Sequence, residues 1–316
     1  FLLRMGVDSD HIDATPYGLS LGSSGITPLQ LTVAYGVLAN AGVYQQPISF
    51  LGISDSDGNV VYDSHAQQER RQVFRPSTAW MTIDMMKGVI SNGTGSAAKI
   101  KGQTVAGKTG TNSDQRGVTF SGMTGWYVSA IWVGHDNYKP LSSKSTGNGS
   151  AAPIWQSYMS KIHQAKGLSD RDIIEATPDQ LGIVSATTCA VSGQLATDAC
   201  RNDSMGYGTV TDYWYEPTVP TVYCQMHQSM TVCADTGMLA TEYCPNTTVK
   251  GVVVIPNGHP LSDYVNDPEY GPVIAEYLGT ASDYNYCTLH QDGYSVDNGS
   301  YGYNGDLVSD AQQLLQ

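Results

Sequence analysis

One segment occurs twice, and it constrains this chain more than any other feature. Cys189-Ala190-Val191-Ser192-Gly193-Gln194-Leu195-Ala196-Thr197-Asp198-Ala199-Cys200 returns as Cys233-Ala234-Asp235-Thr236-Gly237-Met238-Leu239-Ala240-Thr241-Glu242-Tyr243-Cys244. The copies also end alike, with Cys224-Gln225-Met226-His227 and Cys287-Thr288-Leu289-His290. Such repetition means one small structural unit laid down twice. Two chemistries fit its residues. Three thiolates and an imidazole per copy make a zinc ligand set, whereas full oxidation of three thiols per copy forces at least one disulfide between copies. The simplest such pairing joins Cys189 to Cys200, Cys233 to Cys244 and Cys224 to Cys287. The ten-residue gap differs from the short knuckles common at structural zinc sites.

All six cysteines lie beyond residue 184, so a compositional border divides the chain. The boundaries expected are 1–167 for a first domain, 168–184 for a linker around Pro178, 185–232 and 233–294 for the two repeats, and 295–316 for a flexible tail rich in Gly, Asn, Tyr and Asp. In the first domain, Thr27 caps a helix that begins at Pro28 and stops at Gly42. A hairpin follows, Ile48–Ile53 with Asn59–Tyr62 around Asp57-Gly58. A second helix follows Pro76 with Ser77 as cap, and a third spans Ser150–Gln164. Between them, Thr104–Lys108 and Trp126–Gly134 read as strands that pair antiparallel across the polar loop Asn112–Ser121. The fold class expected is α+β, an antiparallel sheet flanked by helices and followed by small cysteine-rich repeats.

The 316 residues carry 16 Lys and Arg against 29 Asp and Glu, a net charge of −13, and no basic stripe to neutralise a phosphate backbone. Nucleic acid is therefore excluded as the expected partner. The opening residues Phe1-Leu2-Leu3-Arg4-Met5-Gly6 have neither an initiator Met nor the layout of a signal peptide, so the chain reads as a fragment.

The chemistry sits in Lys108-Thr109-Gly110-Thr111. A cation and two hydroxyls on a strand can hold a terminal carboxylate at fixed geometry, and the glycine lets a ligand backbone lie close. Lys-Thr-Gly is also one of three motifs shared by class A β-lactamases and penicillin-binding proteins, with Ser-x-x-Lys and Ser-x-Asn. The only nearby Ser-x-x-Lys is Ser96-Ala97-Ala98-Lys99, which follows a loop rather than opening a buried helix; it reads as a decoy.

Around the triplet the chain resembles the transpeptidase domain of bifunctional class A penicillin-binding proteins. The resemblance runs through Gly18-Leu19-Ser20-Leu21-Gly22-Ser23, Ile26-Thr27-Pro28-Leu29-Gln30-Leu31, Ala34-Tyr35 to Ala39-Asn40-Ala41-Gly42, Gly93-Thr94-Gly95-Ser96-Ala97, Ala106-Gly107-Lys108-Thr109-Gly110-Thr111 and Ala130-Ile131-Trp132-Val133-Gly134-His135-Asp136. It ends in the closing helix with Pro153-Ile154-Trp155 and Met159. Gly117-Val118-Thr119-Phe120 stands where the family usually has an Asp and a Trp-Phe pair, a departure confined to that loop.

The resemblance implies a peptidoglycan D,D-transpeptidase that acts by serine acyl transfer. Lys108 would organise the proton network, Thr109 and Thr111 would bind the carboxylate, the Thr111 amide would be an oxyanion donor, and Gly110 would keep the strand edge open. The nucleophilic serine, the Ser-x-Asn loop, a membrane anchor and any glycosyltransferase domain would precede Phe1, leaving this piece inactive alone. The implied partners are the peptidoglycan stem peptide and β-lactams, with no cofactor, at the extracellular face of the bacterial cytoplasmic membrane. In that compartment thiols oxidise, so the six cysteines read as disulfides and no metal is assigned. The alternatives are a non-catalytic penicillin-recognising sensor or wall-binding module, and a D,D-carboxypeptidase or β-lactamase.

Overall fold

The computed structural model describes residues 1–256, 258–265, 267–278 and 286–291; the tail expected over 295–316 lies outside them. Two compact units are formed, one by residues 1–185 with 213–219, the other by 186–212 and the described residues from 220 onward. Residues 213–219, expected within the first repeat, group with the first unit.

Local rules start each helix of the first unit. α1 (Pro16–Leu21) is capped by Thr15. α2 (Pro28–Ala39) opens on a reciprocal capping box between Thr27 and Gln30. β1 (Val43–Gln45) follows a turn in which Gly42 has φ 86° and a Cβ would lie 2.2 Å from the Phe74 carbonyl oxygen. The hairpin of β2 (Gly52–Ser54) and β3 (Val60–Asp63) turns on Asp55, whose carboxylate accepts from the amides of Asp57 and Asn59, each at 2.9 Å. After the single turn α3 (Ser64–Gln67), β4 (Arg70–Gln72) pairs with β1, and α4 (Pro76–Ser91) begins behind Arg75. Ser77 makes no cap; it is buried in the first turn.

The central sheet corrects one expectation. β5 (Ala106–Thr111) and β7 (Val128–Gly134) do not pair with each other, because the supposed loop contains β6 (Gly117–Met123), which lies between them and pairs antiparallel with both. Val118 and Phe120 of β6 point to one face and Met123 to the other. On the first face they pack with Ala152, Trp155 and Met159 of α5 (Ala152–Lys166), and Phe120 meets Trp155 edge to face at 5.1 Å. On the second face Met123 and Ala106 pack with Ile83 and Met86 of α4 and with Tyr35 and Leu38 of α2.

The second unit contains most of β8 (Ile183–Cys189) and β9 (Thr209–Tyr215), which pair, then α6 (Asp198–Arg201), β10 (His227–Cys233) and β11 (Thr247–Val253), and α7 (Gly271–Leu278). The two repeats fold alike. Cys189 and Cys233 each donate to the carbonyl five residues on, Gln194 and Met238, at 2.8 Å, around Gly193 and Gly237 with φ 70° and 73°. Leu195 then accepts from the amide of Cys224 and Leu239 from that of Cys287, which draws the third cysteine back onto its own repeat. All six cysteines are free, so the expected bridge from Cys224 to Cys287 is not formed, nor are the other two.

His163, in the last turn of α5, is 4% exposed and its Nε2 lies 3.1 Å from the Thr124 hydroxyl, while Nδ1 is buried with no partner among the described residues. Desolvation holds its pKa below the usual histidine value, against the opposing charge of Asp170. A charged ring would need an acceptor at Nδ1, which the site lacks. Stability from the neutral ring is full above the unfolded-state pKa of about 6.5 and is lost as pH falls below it toward the lower folded value. Denaturant unfolding followed by tryptophan fluorescence between pH 8 and pH 5 should therefore show a decline that His163→Gln flattens. Equal pH slopes in the two proteins would remove His163 as the cause.

Candidate functional site

The Lys-Thr-Gly-Thr segment does not end a strand, as expected, but forms most of β5, the edge strand of the sheet. Register sets where each side chain faces. Lys108 lies opposite Ser121, Gly110 opposite Thr119, and Thr109 and Thr111 opposite Phe120 and Val118. The lysine therefore projects on one face and the two threonines on the other, the face that carries α5.

Lys108 is exposed, and its ammonium donates to the Thr109 carbonyl at 2.9 Å. Among the described residues no carboxylate pairs with it, so its charge is left for an anionic ligand. The hydroxyl of Ser121 opposite is buried and has no partner among the described residues. A Cβ on Gly110 would lie 2.3 Å from the Thr119 hydroxyl, so a side chain there would first have to turn that hydroxyl aside.

Two segments converge on the threonine face and on each other. The Thr94 and Thr109 hydroxyls are 3.0 Å apart, the Gly147 amide donates to the Thr111 hydroxyl at 3.1 Å, and the Ala97 amide donates to Asn148 Oδ1 at 2.9 Å. Thr111 accepts in this contact and keeps its own proton to donate. The Gly93-Thr94-Gly95 loop is held tight to α4: a Cβ on Gly93 would meet the Val89 backbone at 2.9 Å. Gly147 and Asn148 had drawn no attention in the sequence. Gly147 packs where a Cβ would come within 2.7 Å of the Thr119 carbonyl oxygen and 2.8 Å of Thr109 Cβ, a contact with no local sequence signal.

The Ser96-Ala97-Ala98-Lys99 string does not form a nucleophile and base. Ser96 is exposed in a single 3₁₀ turn, and the Lys99 ammonium donates to the Ser91 carbonyl at 2.8 Å, closing the end of α4.

The cysteines and histidines of the second unit gather in two sets. The ligand atoms of Cys189, Cys200, Cys224 and His227 lie within 4.8 Å of one another, as do those of Cys233, Cys244, Cys287 and His290.

Comparison with known proteins follows the same division. Residues 6–154 match the family model of the penicillin binding protein transpeptidase domain, and residues 180–229 match that of the penicillin-binding protein 1A C-terminal domain. The chain is 31% identical over 200 residues to penicillin-binding protein 1A of Clostridium perfringens, a match covering 63% of this chain and 23% of that one. Against penicillin-binding protein 1A of Clostridium botulinum it is 30% identical over 228 residues, 71% of this chain and 26% of that one. The chain thus spans about a quarter of the length of these curated relatives. Among solved structures, penicillin-binding protein 1A from Haemophilus influenzae has the same fold, with a TM-score of 0.57 at 21% identity over 71% of this chain and 37% of that chain.

The close approach at Gly147 can be tested directly. Gly147→Ala should cost about 1–3 kcal/mol, the usual penalty for a methyl group with no space, and should speed exchange of the Gly147 segment's amides in hydrogen-exchange mass spectrometry. An unchanged denaturation midpoint would show that the 146–149 turn is not held against β5.

Proposed function

This chain belongs to the class A penicillin-binding proteins, and from that premise we propose that β5 holds the donor carboxylate in a peptidoglycan D,D-transpeptidase. The observation that carries the reading is a cation, Lys108, with no carboxylate partner among the described residues, on an edge strand whose other motif residues, Thr109 and Thr111, are fixed by the 94 and 147 loops.

Each residue then has a role that its chemistry allows. The stem peptide lies along the free edge of β5 and adds to the sheet as a further strand. The Thr109 and Thr111 hydroxyls bind its terminal carboxylate from their face of the strand, and the Lys108 ammonium, which folds back to the strand edge at the Thr109 carbonyl, adds its charge from the other. Lys108 also orders the protons around the nucleophile, and the Thr111 amide is one oxyanion donor. On this reading the serine comes from outside 1–316 and Ser96 is set aside, since Ser96 is exposed and Lys99 is committed to the end of α4.

The reaction is acyl transfer in two halves. The serine oxygen attacks the penultimate D-Ala carbonyl, an ester forms, the peptide C–N bond breaks, and D-Ala leaves with the proton taken from the hydroxyl. An amine on a neighbouring strand then displaces the serine and forms the cross-link. A β-lactam acylates the same serine as its ring C–N bond opens. No helix of the described residues is long and apolar enough to cross a membrane. An anchor at the outer face of the cytoplasmic membrane, and a glycosyltransferase domain, are on the same reading assigned to residues outside 1–316.

Fluorescent penicillin labelling tests the proposal. The full-length gene product should be labelled and the 316-residue chain alone should not. In the full-length protein Lys108→Ala should lower the second-order acylation constant by about 10²–10³-fold, the loss of one preorganised electrostatic contact. Thr111→Val should lower it by about 10–100-fold, the loss of one hydrogen bond to a charged acceptor. Labelling of Ser96 in the isolated chain would overturn the assignment of the nucleophile. A full-length protein that takes no label would leave a wall-binding module.

A further inference from the structure

Acyl transfer uses none of the six cysteines, nor His227 or His290. We propose that each repeat of the second unit binds one zinc ion, the first through Cys189, Cys200, Cys224 and His227, the second through Cys233, Cys244, Cys287 and His290.

The argument starts with distances. In a tetrahedral site with Zn–S near 2.3 Å and Zn–N near 2.0 Å, sulfur and nitrogen ligands stand about 3.5 Å apart. His227 Nδ1 is 3.3 Å from Cys189 Sγ and 3.6 Å from Cys224 Sγ, and His290 Nδ1 is 3.4 Å from both Cys233 Sγ and Cys287 Sγ. Four ligand atoms within 4.8 Å surround one point in each repeat, as a single metal ion requires.

The far side of each imidazole supports the assignment. His227 Nε2 lies 3.3 Å from an Asp203 carboxylate oxygen, and both side chains are fully buried. Asp203 is held in turn by the Tyr207 amide at 2.7 Å. The second repeat reproduces the pair with different residues, His290 Nε2 lying 3.6 Å from Asp235. A carboxylate on Nε2 places the ring proton there and turns the Nδ1 lone pair toward the sulfurs, the arrangement that orients histidine ligands on metals.

Backbone amides point at the sulfurs. Val191 and Ser192 donate to Cys189 Sγ at 3.4 Å, Thr197 to Cys200 Sγ at 3.4 Å, and Thr241 to Cys244 Sγ at 3.3 Å. These donors suit thiolates, the form that binds metal. Disulfides account for less of this. Three thiols in one cluster leave one unpaired, and neither the inward Nδ1 nor its carboxylate would have a purpose. Zinc also answers the compartment argument, since coordination occupies the thiolates and zinc itself has no redox chemistry.

The ion would also fill a structural need. The buried cluster around the first ligand set consists of Cys189, Cys200 and Cys224 with Ala196, Met226 and, from β11, Val253, so half of it is sulfur ligands. A module this small lacks apolar mass to hold itself and needs a staple.

The test uses the untagged 316-residue chain, purified without chelator, with zinc counted by inductively coupled plasma mass spectrometry. Two zinc ions per chain are expected, falling to one in Cys189→Ser/Cys224→Ser and to one in Cys233→Ser/Cys287→Ser. His227→Cys, which offers four thiolates, should keep two and so guards against variants that merely misfold. Alkylation of the denatured, chelator-treated and unreduced chain should modify all six cysteines. Fewer than about one-tenth of a zinc per chain, with disulfide-linked peptides within or between the repeats, would overturn the proposal. So would zinc that remains at two per chain in both double variants.

Discussion

The first unit depends on one backbone ladder, the pairing of β5 with β6. Gly107 lies directly opposite Gly122, and a Cβ on either would come within 2.6 Å of the Phe120 ring. The ring can lie over the two strands only because both positions lack side chains, and Trp155 then packs on its edge. This fixes the register. A slip of one residue would bring a side chain under Phe120 and turn Lys108 from the side it shares with Ser121 to the side that faces α5. The orientation of the motif is therefore a consequence of aromatic packing on the opposite face of the same strands.

Sequence motifs name residue types, whereas chemistry depends on what surrounds them. Lys99 and Lys108 show the difference within one chain. Each stands in a string known from serine acyl transfer, and each donates to a backbone carbonyl. Lys99 closes the end of α4 beside an exposed serine in a loop. Lys108 stands on an edge strand whose threonines are tied to two further segments. Only the second has neighbours that can shape a ligand site.

Much of this was legible because it rests on local rules. Thr27-Pro28, Pro76 and Pro153 announced the three long helices, and Asp57-Gly58 announced the hairpin. β6 was hidden, because Gly117, Thr119, Ser121 and Gly122 mask the alternation of Val118 and Phe120 and read as a loop. The threonine face was half legible: the Gly93-Thr94-Gly95 string stands out, but Gly147 earns its place through the carbonyl of Thr119, a residue distant in sequence. The repeats were plain and their closure was not. The hydrogen bonds from Cys224 to Leu195 and from Cys287 to Leu239, which return each third cysteine to its own copy, are long-range contacts that spacing does not encode.

The two units meet the demand for a core with different means. The first has enough chain to bury Trp155, Phe120, Met123 and Met159 around a sheet, and its polar groups can then be spent at the edge. Each repeat of the second has three short strands or fewer, and its most buried side chains include the cysteines themselves, with Cys200, Cys233 and Cys287 at 0% exposure. Sulfur at the centre of a small module adds little as a free thiol and much more when tied to another sulfur or to a metal. Three sulfurs and one imidazole nitrogen around a point satisfy the second option completely and the first only in part. The duplication then has a physical reading: once one set of four ligands closes a unit without much apolar mass, a second copy needs only the same four ligands and the glycine turn that brings them round, and those are the features the two copies share.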